Sequence, residues 1–342
     1  MAVVMTSKPR FSNASSLDVV GIGNAIVDVL VQTEDQFLND QKLNKGSMAL
    51  VDEEQAKSLY EASGPGLETS GGSAANTLAG LAQLGSKAGF IGRVRDDQLG
   101  TIFSHDIRSV GTRFDTPAAV TGPSTARCLI LVTSDAERTM CTYLGASTQL
   151  DPDDLDLSMV CDTKVLYLEG YLWDSPEAKK AFITAAKACK ESGGQVALSL
   201  SDGFCVDRHR ESFLELVDGH VDVLFANEDE IKALYGAADF EGALDQVKGS
   251  CSVAVLTRSE LGSVVLSGEQ RWEIPSYKLG ELVDTTGAGD LYAGGFLHGY
   301  TRDLPLDVCG RIGSICAGQV VTQLGPRSKV SLPDLIAQHL DS

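Results

Sequence analysis

The second half of the chain alternates short apolar runs with longer stretches whose apolar residues recur at helical spacing. The apolar runs have the length of buried strands and lie at residues 164–169, 196–200, 221–226 and 252–257. The helical patterns lie at residues 176–191, 208–217, 228–235 and 240–247. Because strands that alternate with helices pair in parallel, this pattern predicts an α/β fold with a mostly parallel central sheet and helices on both faces.

The first half departs from this alternation. After a strand at residues 18–24 come short extended runs without a regular covering helix, at residues 26–33, 46–51, 126–133 and 138–144. Four such strands predict a small sheet that protrudes from the main domain. We expect its segments at about residues 26–51 and 118–146. They interrupt one core domain over residues 18–342, preceded by a polar tail at residues 1–17 that lacks the apolar core of a signal peptide.

The stretch V-D-T-T-G-A-G-D-L-Y-A-G-G, residues 283–295, is the strongest candidate for chemistry. A β-branched run ends at residues 284–286, glycines follow, and small and apolar residues at helical spacing run from Asp290 to Tyr300. A strand, a tight turn and a helix N-terminus would place unpaired N–H groups beside a carboxylate, which suits phosphoryl transfer to a hydroxyl. Alternatively, the glycines only form a turn and Asp290 only caps the helix.

Polar or glycine-containing segments also follow three of the predicted strands, at residues 201–204, 227–230 and 257–262. The carboxyl ends of parallel strands meet at one edge of a sheet, and ligands bind there in open α/β folds. The sequence therefore predicts that these segments border the site.

Composition narrows the class of protein. The 342 residues are 43% hydrophobic, enough for a substantial core, and the formal net charge is −19. Such a charge argues against nucleic-acid or acidic-membrane partners and requires phosphates to be attracted locally. Eight cysteines without a C-x-x-C pair indicate reduced thiols and no structural zinc, hence a cytoplasmic protein.

Several other nucleotide and metal sites are excluded by their missing motifs. The chain has no G-x-x-x-x-G-K-[S/T] loop, no protein-kinase H-R-D set and no H-E-x-x-H. Gly21 and Gly23 of the first strand could open a dinucleotide-binding fingerprint, but Ile26 stands where that fingerprint needs its third glycine. We therefore reject a Rossmann cofactor site.

The string D-T-T-G-A-G-D at residues 284–290 and the string G-G-S-A-A-N at residues 71–76 resemble the two signatures of the ribokinase (PfkB) family of carbohydrate and nucleoside kinases. The resemblance implies a ribokinase-like fold in which the small sheet is a lid, and ATP-dependent phosphorylation of a primary hydroxyl. It gives Gly287, Ala288 and Gly289 the role of stabilising the transferring phosphate and makes Asp290 the base.

The resemblance also implies a set of acceptor-binding residues: Asn24, Asp28, Gly71, Gly72, Asn76 and Phe204. Asn24, the G-G-S-A-A-N-T string and L-S-L-S-D-G-F-C at residues 198–205 resemble adenosine kinases, with Phe204 stacking on the purine. The implied acceptor is the 5′-hydroxyl of adenosine. Ribose, fructose or a keto-deoxy sugar is the alternative, and a non-catalytic nucleotide-binding regulator is a third. The structural alternatives are a solvated Asp28 and an ordinary core Phe204.

For the nucleotide, the resemblance implies contacts from a turn and from a later helix, through Thr257, Arg258, Gly262, Ser314, Ala317 and Gly318. The N-x-x-E spacing of Asn227 and Glu230 resembles the family motif that organises Mg²⁺ through water, although an acidic helix N-terminus is the plain alternative. Asp284 and Thr286 would bind a monovalent cation, K⁺, beside the phosphate.

The remaining expectations concern the lid and the partners of the protein. Arg127 and Arg138 lie in predicted lid strands and would carry positive charge towards the phosphates, with a solvated surface as the alternative. Closure of the lid would exclude water from phosphoryl transfer. We expect ATP and a small molecule as partners, and a monomer or homodimer.

Overall fold

The computed structural model describes residues 10–11, 15–135 and 137–340. Its strands are, in chain order, β1 (Leu17–Ile22), β2 (Ile26–Gln32), β3 (Met48–Leu50), β4 (Leu67–Gly71), β5 (Ala88–Ile91), β6 (Thr112–Phe114), β7 (Ala126–Val132), β8 (Arg138–Tyr143), β9 (Thr163–Glu169), β10 (Gln195–Ser199), β11 (Val223–Asn227), β12 (Val253–Thr257), β13 (Ser263–Ser267) and β14 (Gln270–Ile274). These strands form two sheets.

The helices of the described residues are α1 (Asp35–Asp40), α2 (Glu53–Ala62), α3 (Ser73–Gln83), α4 (Gln98–Ser109), α5 (Leu157–Cys161), α6 (Pro176–Glu191), α7 (Gly203–His220), α8 (Glu228–Tyr235), α9 (Phe240–Val247), α10 (Ala288–Tyr300), α11 (Leu306–Val320) and α12 (Leu332–His339). Helices α6, α8 and α9 have the predicted bounds. Within the described chain, no helix combines the length and the apolar character that a membrane crossing requires.

The larger sheet has the strand order β14-β13-β12-β11-β10-β9-β1-β5-β6. Neighbours from β6 to β12 pair in parallel, and β13 and β14 complete the sheet in antiparallel. One face packs on α6 to α9 around Phe182 and Phe213, and the other on α3, α4 and α10 around Phe103 and Phe296. The prediction of a mostly parallel sheet covered on both faces is confirmed.

The smaller sheet has the order β3-β8-β7-β2-β4 and confirms the predicted small sheet, which is called the lid below. Its fifth strand, β4, was missed by the sequence analysis. The helix α3 begins at Ser73, after Gly72 turns the chain with a φ of 95° that favours glycine. Gly71 still pairs with Ile26 in the lid.

The predicted strand at residues 283–286 was wrong. The N–H groups of Val283 and Asp284 both donate to the carbonyl oxygen of Val321, at 2.8 and 3.2 Å, where α11 ends. The C-terminal end of α11 therefore accepts the backbone hydrogen bonds that a neighbouring strand would otherwise accept. The segment is part of the loop that joins β14 to α10.

Candidate active site

A cleft of about 1120 Å³ lies between the carboxyl ends of the larger sheet and the lid. A single small ligand usually fills about 300–1,000 Å³, so the volume has room for two. The predicted site residues that line it are Asn24, Asp28, Gly72, Asn76, Asn227, Glu230, Thr257, Gly262, Thr286, Gly287, Ala288, Gly289, Asp290, Ser314, Ala317 and Gly318. Residues from both signatures thus meet in one place.

Asp290 lies in the first turn of α10 at the base of the cleft. Its carboxylate accepts hydrogen bonds from Ser73 Oγ at 2.6 Å and from Asn76 Nδ2 at 3.2 Å, both on α3. Burial raises the pKa of Asp290 to about 6, against the lowering effect of these two bonds. The carboxylate is therefore oriented and has the basicity of a general base that works near neutral pH.

The turn before Asp290 is shaped to receive an anion. Gly287 has a φ of 78°, and a Cβ there would lie 2.6 Å from Pro326 Cβ, so glycine is required on both counts. At Gly289, by contrast, a Cβ would meet nothing within 4 Å. Gly287, Ala288 and Gly289 all line the cleft, so the first turn of α10 borders open space, where the helix dipole favours negative charge.

Asp28, on lid strand β2, faces the same cleft from the other side. Burial raises its pKa to about 7; Arg327 and Arg138 lower it, and the charge of Asp290 raises it further. Gly71 does not line the cleft, but a Cβ at Gly71 would collide with the Asp28 carboxylate. The first glycine of the signature thus leaves room for the acid.

Glu169, at the end of β9, is a cleft residue that the sequence analysis missed. It is 1% exposed and accepts hydrogen bonds from Asn24 Nδ2 at 2.7 Å and from the Ala74 N–H at 2.8 Å. Burial raises the pKa of Glu169 to about 7. Its position at the carboxyl end of a parallel strand was the available signal, since ligand groups gather there.

The end of the cleft where the sequence predicts the nucleotide, called the nucleotide end below, is built from small residues. Ser314 Oγ donates to the Pro275 carbonyl at 2.7 Å, which holds the loop after β14 against α11. A Cβ at Gly318 would collide with the Tyr277 carbonyl of the same loop. Gly262 has a φ of 88°, and a Cβ there would collide with the Ile274 carbonyl. Close backbone approach therefore shapes this end.

Asn227 and Glu230 form a reciprocal cap at the start of α8. The Asn227 N–H and Nδ2 donate to the Glu230 carboxylate at 2.9 and 2.7 Å, and Asn227 Oδ1 accepts from the Glu230 N–H at 2.8 Å. Burial raises the pKa of Glu230 to about 7. Among the described residues no group of three or more His, Cys, Asp or Glu has metal-binding geometry. The single carboxylate of Glu230 is compatible with a Mg²⁺ ion that is held mainly by water molecules and phosphate groups.

The two lid arginines have different surroundings. Arg138 reaches the turn before α10, where its Nη1 lies 2.7 Å from Asp284 Oδ2 and donates to Thr286 Oγ1 at 3.3 Å. Arg127 lies instead over the rings of Tyr60 and Tyr143, at 5.7 and 5.8 Å, outside the cleft lining. Of these two arginines, Arg138 is the one that brings positive charge towards the glycine turn before Asp290.

Two residues that were predicted to contact a ligand, Arg258 and Phe204, do not line the cleft. Arg258 Nε donates to Glu228 at 2.8 Å, and its guanidinium lies 4.2 Å from the centroid of the Phe240 ring, so its charge and its stacking surface are already engaged away from the cleft. Phe204 lies in the first turn of α7, beyond the end of β10, and is 78% exposed. The core alternative for Phe204 was wrong, and its stacking on a purine stays a prediction.

The whole chain resembles kinases of one family. Residues 52–334 match the pfkB family carbohydrate kinases. An adenosine kinase structure from Sinorhizobium meliloti is 48% identical with a TM-score of 0.86, and the match covers 95% of this chain and 99% of that one. A probable sugar kinase from Rhizobium etli CFN 42 is also 48% identical, with a TM-score of 0.87 and coverage of 95% and 98%.

Curated relatives are more distant and their acceptors differ. A 5-dehydro-2-deoxygluconokinase from Lacticaseibacillus casei is 29% identical, covering 78% of this chain and 83% of its own. A nucleoside kinase from Methanocaldococcus jannaschii is 25% identical, with coverage of 79% and 85%. The protein is thus a phosphotransferase that uses ATP and an alcohol acceptor, and the chain belongs to the pfkB family of carbohydrate kinases.

Proposed function

We propose that this protein transfers the γ-phosphate of ATP to the 5′-hydroxyl of adenosine, in purine salvage in the cytoplasm. Asp290 takes the proton of the hydroxyl as its oxygen attacks the γ-phosphorus. The new O–P bond forms while the bond to the β-phosphate oxygen breaks, and ADP leaves. The first-turn amides of α10 at Gly287 to Gly289 stabilise the charge on the transferring group.

The observation that carries the nucleoside proposal is the apolar face of the lid. The lid side chains that line the cleft include Met48, Leu50, Ile130, Met140 and Leu144. They lie on the same side as Asp28, which would hold the sugar. A purine has large apolar faces that this surface would remove from water, whereas a free sugar has few.

A sugar acceptor is the second candidate, and Glu169 favours it. Its buried carboxylate and the Asn24 side chain add polar groups to the acceptor end beyond Asp28 and Asn76. Asn24 Oδ1 and Asn76 Oδ1 are both buried without a hydrogen-bond partner. Buried acceptors of this kind favour a ligand rich in hydroxyl groups, such as ribose, fructose or a keto-deoxy sugar.

We further propose that Mg²⁺ accompanies ATP. Glu230, with Asn227 behind it, would hold the ion through water molecules, and the ion supplies charge neutralisation to the phosphates when bound. Glu230 is 7% exposed and lines the cleft, so its carboxylate is available only to a ligand inside it.

ATP consumption across a panel of nucleosides and free sugars tests the acceptor. We expect adenosine to give a higher kcat/KM than ribose, fructose or 2-keto-3-deoxygluconate. Leu50→Ser, at a cleft-lining position, should lower kcat/KM for adenosine by about tenfold, because roughly 1.4 kcal/mol of apolar contact is lost. Any sugar turnover should change little.

Leu67→Ser is the matched control, because Leu67 is also an exposed lid leucine, at 65% against 66% for Leu50, but lies outside the cleft lining. Clear turnover of a free sugar with adenosine inert would move the protein to the sugar-kinase candidate. Equal effects of the two leucine variants would remove the apolar-face argument.

A further inference from the structure

Arg138 connects the lid to the phosphate site by a buried ion pair. The Arg138 and Asp284 side chains are 10% and 7% exposed, and they meet at 2.7 Å. Arg138 belongs to lid strand β8, whereas Asp284 lies six residues before Asp290 in the loop that leads to α10. A buried carboxylate needs a counter-charge, and here a different part of the chain supplies it.

The remaining contacts of Asp284 leave little room for another cation. Its Oδ1 accepts from the Thr286 N–H at 3.0 Å, and its Oδ2 accepts from the Gly325 N–H at 2.9 Å as well as from Arg138. Three of roughly four acceptor positions of the carboxylate are thus taken. A K⁺ ion at Asp284 and Thr286 would also be repelled by the guanidinium, which contacts both residues. The residues present do not fit the cation that the family resemblance implied.

Arg138 has further donors that the protein does not use. Its Nε and Nη2 are buried without a hydrogen-bond partner. Unpaired buried donors are costly, so an anion that accepts from them would be favoured. Thr286, which Arg138 contacts, lines the cleft directly before Gly287. The unpaired donors are therefore beside the site where the phosphate would bind.

We propose that Arg138 is the built-in counter-cation of the phosphate site and replaces a free monovalent cation, so that the enzyme does not require K⁺. Because this charge is carried by the lid, it neutralises Asp284 only when the lid is closed. The inference rests on the proposed phosphate site at Gly287 to Gly289, and it adds that the charge of that site depends on lid position.

The first experiment measures kcat in K⁺, Na⁺ and choline chloride at equal ionic strength, with the best acceptor of the panel. The wild-type protein should vary by less than about threefold, the range of ordinary salt effects. Arg138→Met should lose roughly 10²-fold in choline, as expected when a main charge of a phosphate site is removed. K⁺ should restore a substantial part of that loss, and Arg138→Lys should keep more activity than Arg138→Met in choline.

Arg127→Met is the matched control: it removes a lid arginine that is 8% exposed but packs on Tyr60 and Tyr143, away from Asp284. Its rate should stay salt-independent. The second readout is Tm without substrates, which needs no acceptor and separates this inference from the proposed function. K⁺ should raise the Tm of Arg138→Met more than choline does, and should leave the other two proteins unchanged.

Strong K⁺ activation of the wild type, or an Arg138→Met protein as active as Arg127→Met, would overturn the inference. A folded Arg138→Met protein whose rate and Tm both ignore K⁺ would overturn it equally, because Asp284 would then not need a cation. If no acceptor of the panel is phosphorylated, the proposed function fails, while the Tm comparison still decides the role of Arg138.

Discussion

The two ends of the cleft differ in the kind of groups that would contact a ligand. The proposed acceptor end has three carboxylates, Asp28, Glu169 and Asp290, whose pKa values burial raises to between about 6 and 7. The proposed nucleotide end, around Gly262 and Gly318, is formed by small residues and backbone. Charged side chains demand hydrogen-bond partners from the ligand, whereas backbone surfaces select by shape. The comparison indicates that substitutions can alter phosphoryl transfer and ATP binding separately.

The largest effect should follow removal of the base. Asp290→Asn keeps the size of the side chain but cannot take a proton, so kcat should fall roughly 10²–10⁴-fold. Nucleotide affinity, measured by calorimetry, should change little because the nucleotide end is untouched. The control is Asp245→Asn, an aspartate that is 76% exposed and pairs only with Lys248 at the surface. Near-full activity of Asp290→Asn would break the assignment of the acceptor end.

Lowering the pH should also reduce activity, because it protonates the carboxylates of the proposed acceptor end. The pKa of Asp290 is about 6 and those of Asp28 and Glu169 are about 7, with burial as the first cause in each case. A base acts only when ionised, so kcat/KM for the acceptor should fall as pH drops from about 7.5 to 5, by about tenfold or more per unit at the low end. The loss of activity should involve protonation of more than one of these carboxylates. A profile that stays flat down to pH 5 contradicts this.

The smallest expected effect sharpens the nucleotide side of the comparison. Gly318→Ala places a Cβ against the Tyr277 carbonyl and must move the loop after β14. Such overpacking costs about 1–3 kcal/mol, and we expect the KM for ATP to rise about fivefold while the KM for the acceptor stays constant. In the control Gly219→Ala, the new methyl group meets open space. A change confined to the acceptor KM would contradict the division of the cleft.

Much of the fold was predictable because its signals are local. Helices α6, α8 and α9 follow the N-cap residues Ser175, Asn227 and Asp239, each with a side chain that caps its own helix. The glycine turn before Asp290 was predictable from another local signal, since the φ of 78° at Gly287 favours glycine. The strand-helix alternation then fixed which ends of the strands would meet.

What could not be predicted depends on residues far apart in the chain. Asn24 and Glu169 are 145 positions apart, and Arg138 and Thr286 are 148 apart. No sequence periodicity reports such pairs. Arg258 shows the converse case: its position in a motif suggested a nucleotide contact, which stays a prediction, but Glu228 and Phe240 engage its side chain.

Among the strand pairings of the lid sheet, the one between β2 and β7 joins the residues that lie furthest apart in the chain. Strand β2 runs parallel to β7 with Ile26 opposite Ala126, so about a hundred residues separate the partners. Closing so long a loop costs chain entropy that is recovered only when the core between the strands has formed. The lid should therefore fold late and exchange its amide hydrogens earlier than β10 or β11, whose partner strands lie only about 30 residues away in the chain. Opening of the active site would then involve the part of the protein whose local unfolding costs the least free energy.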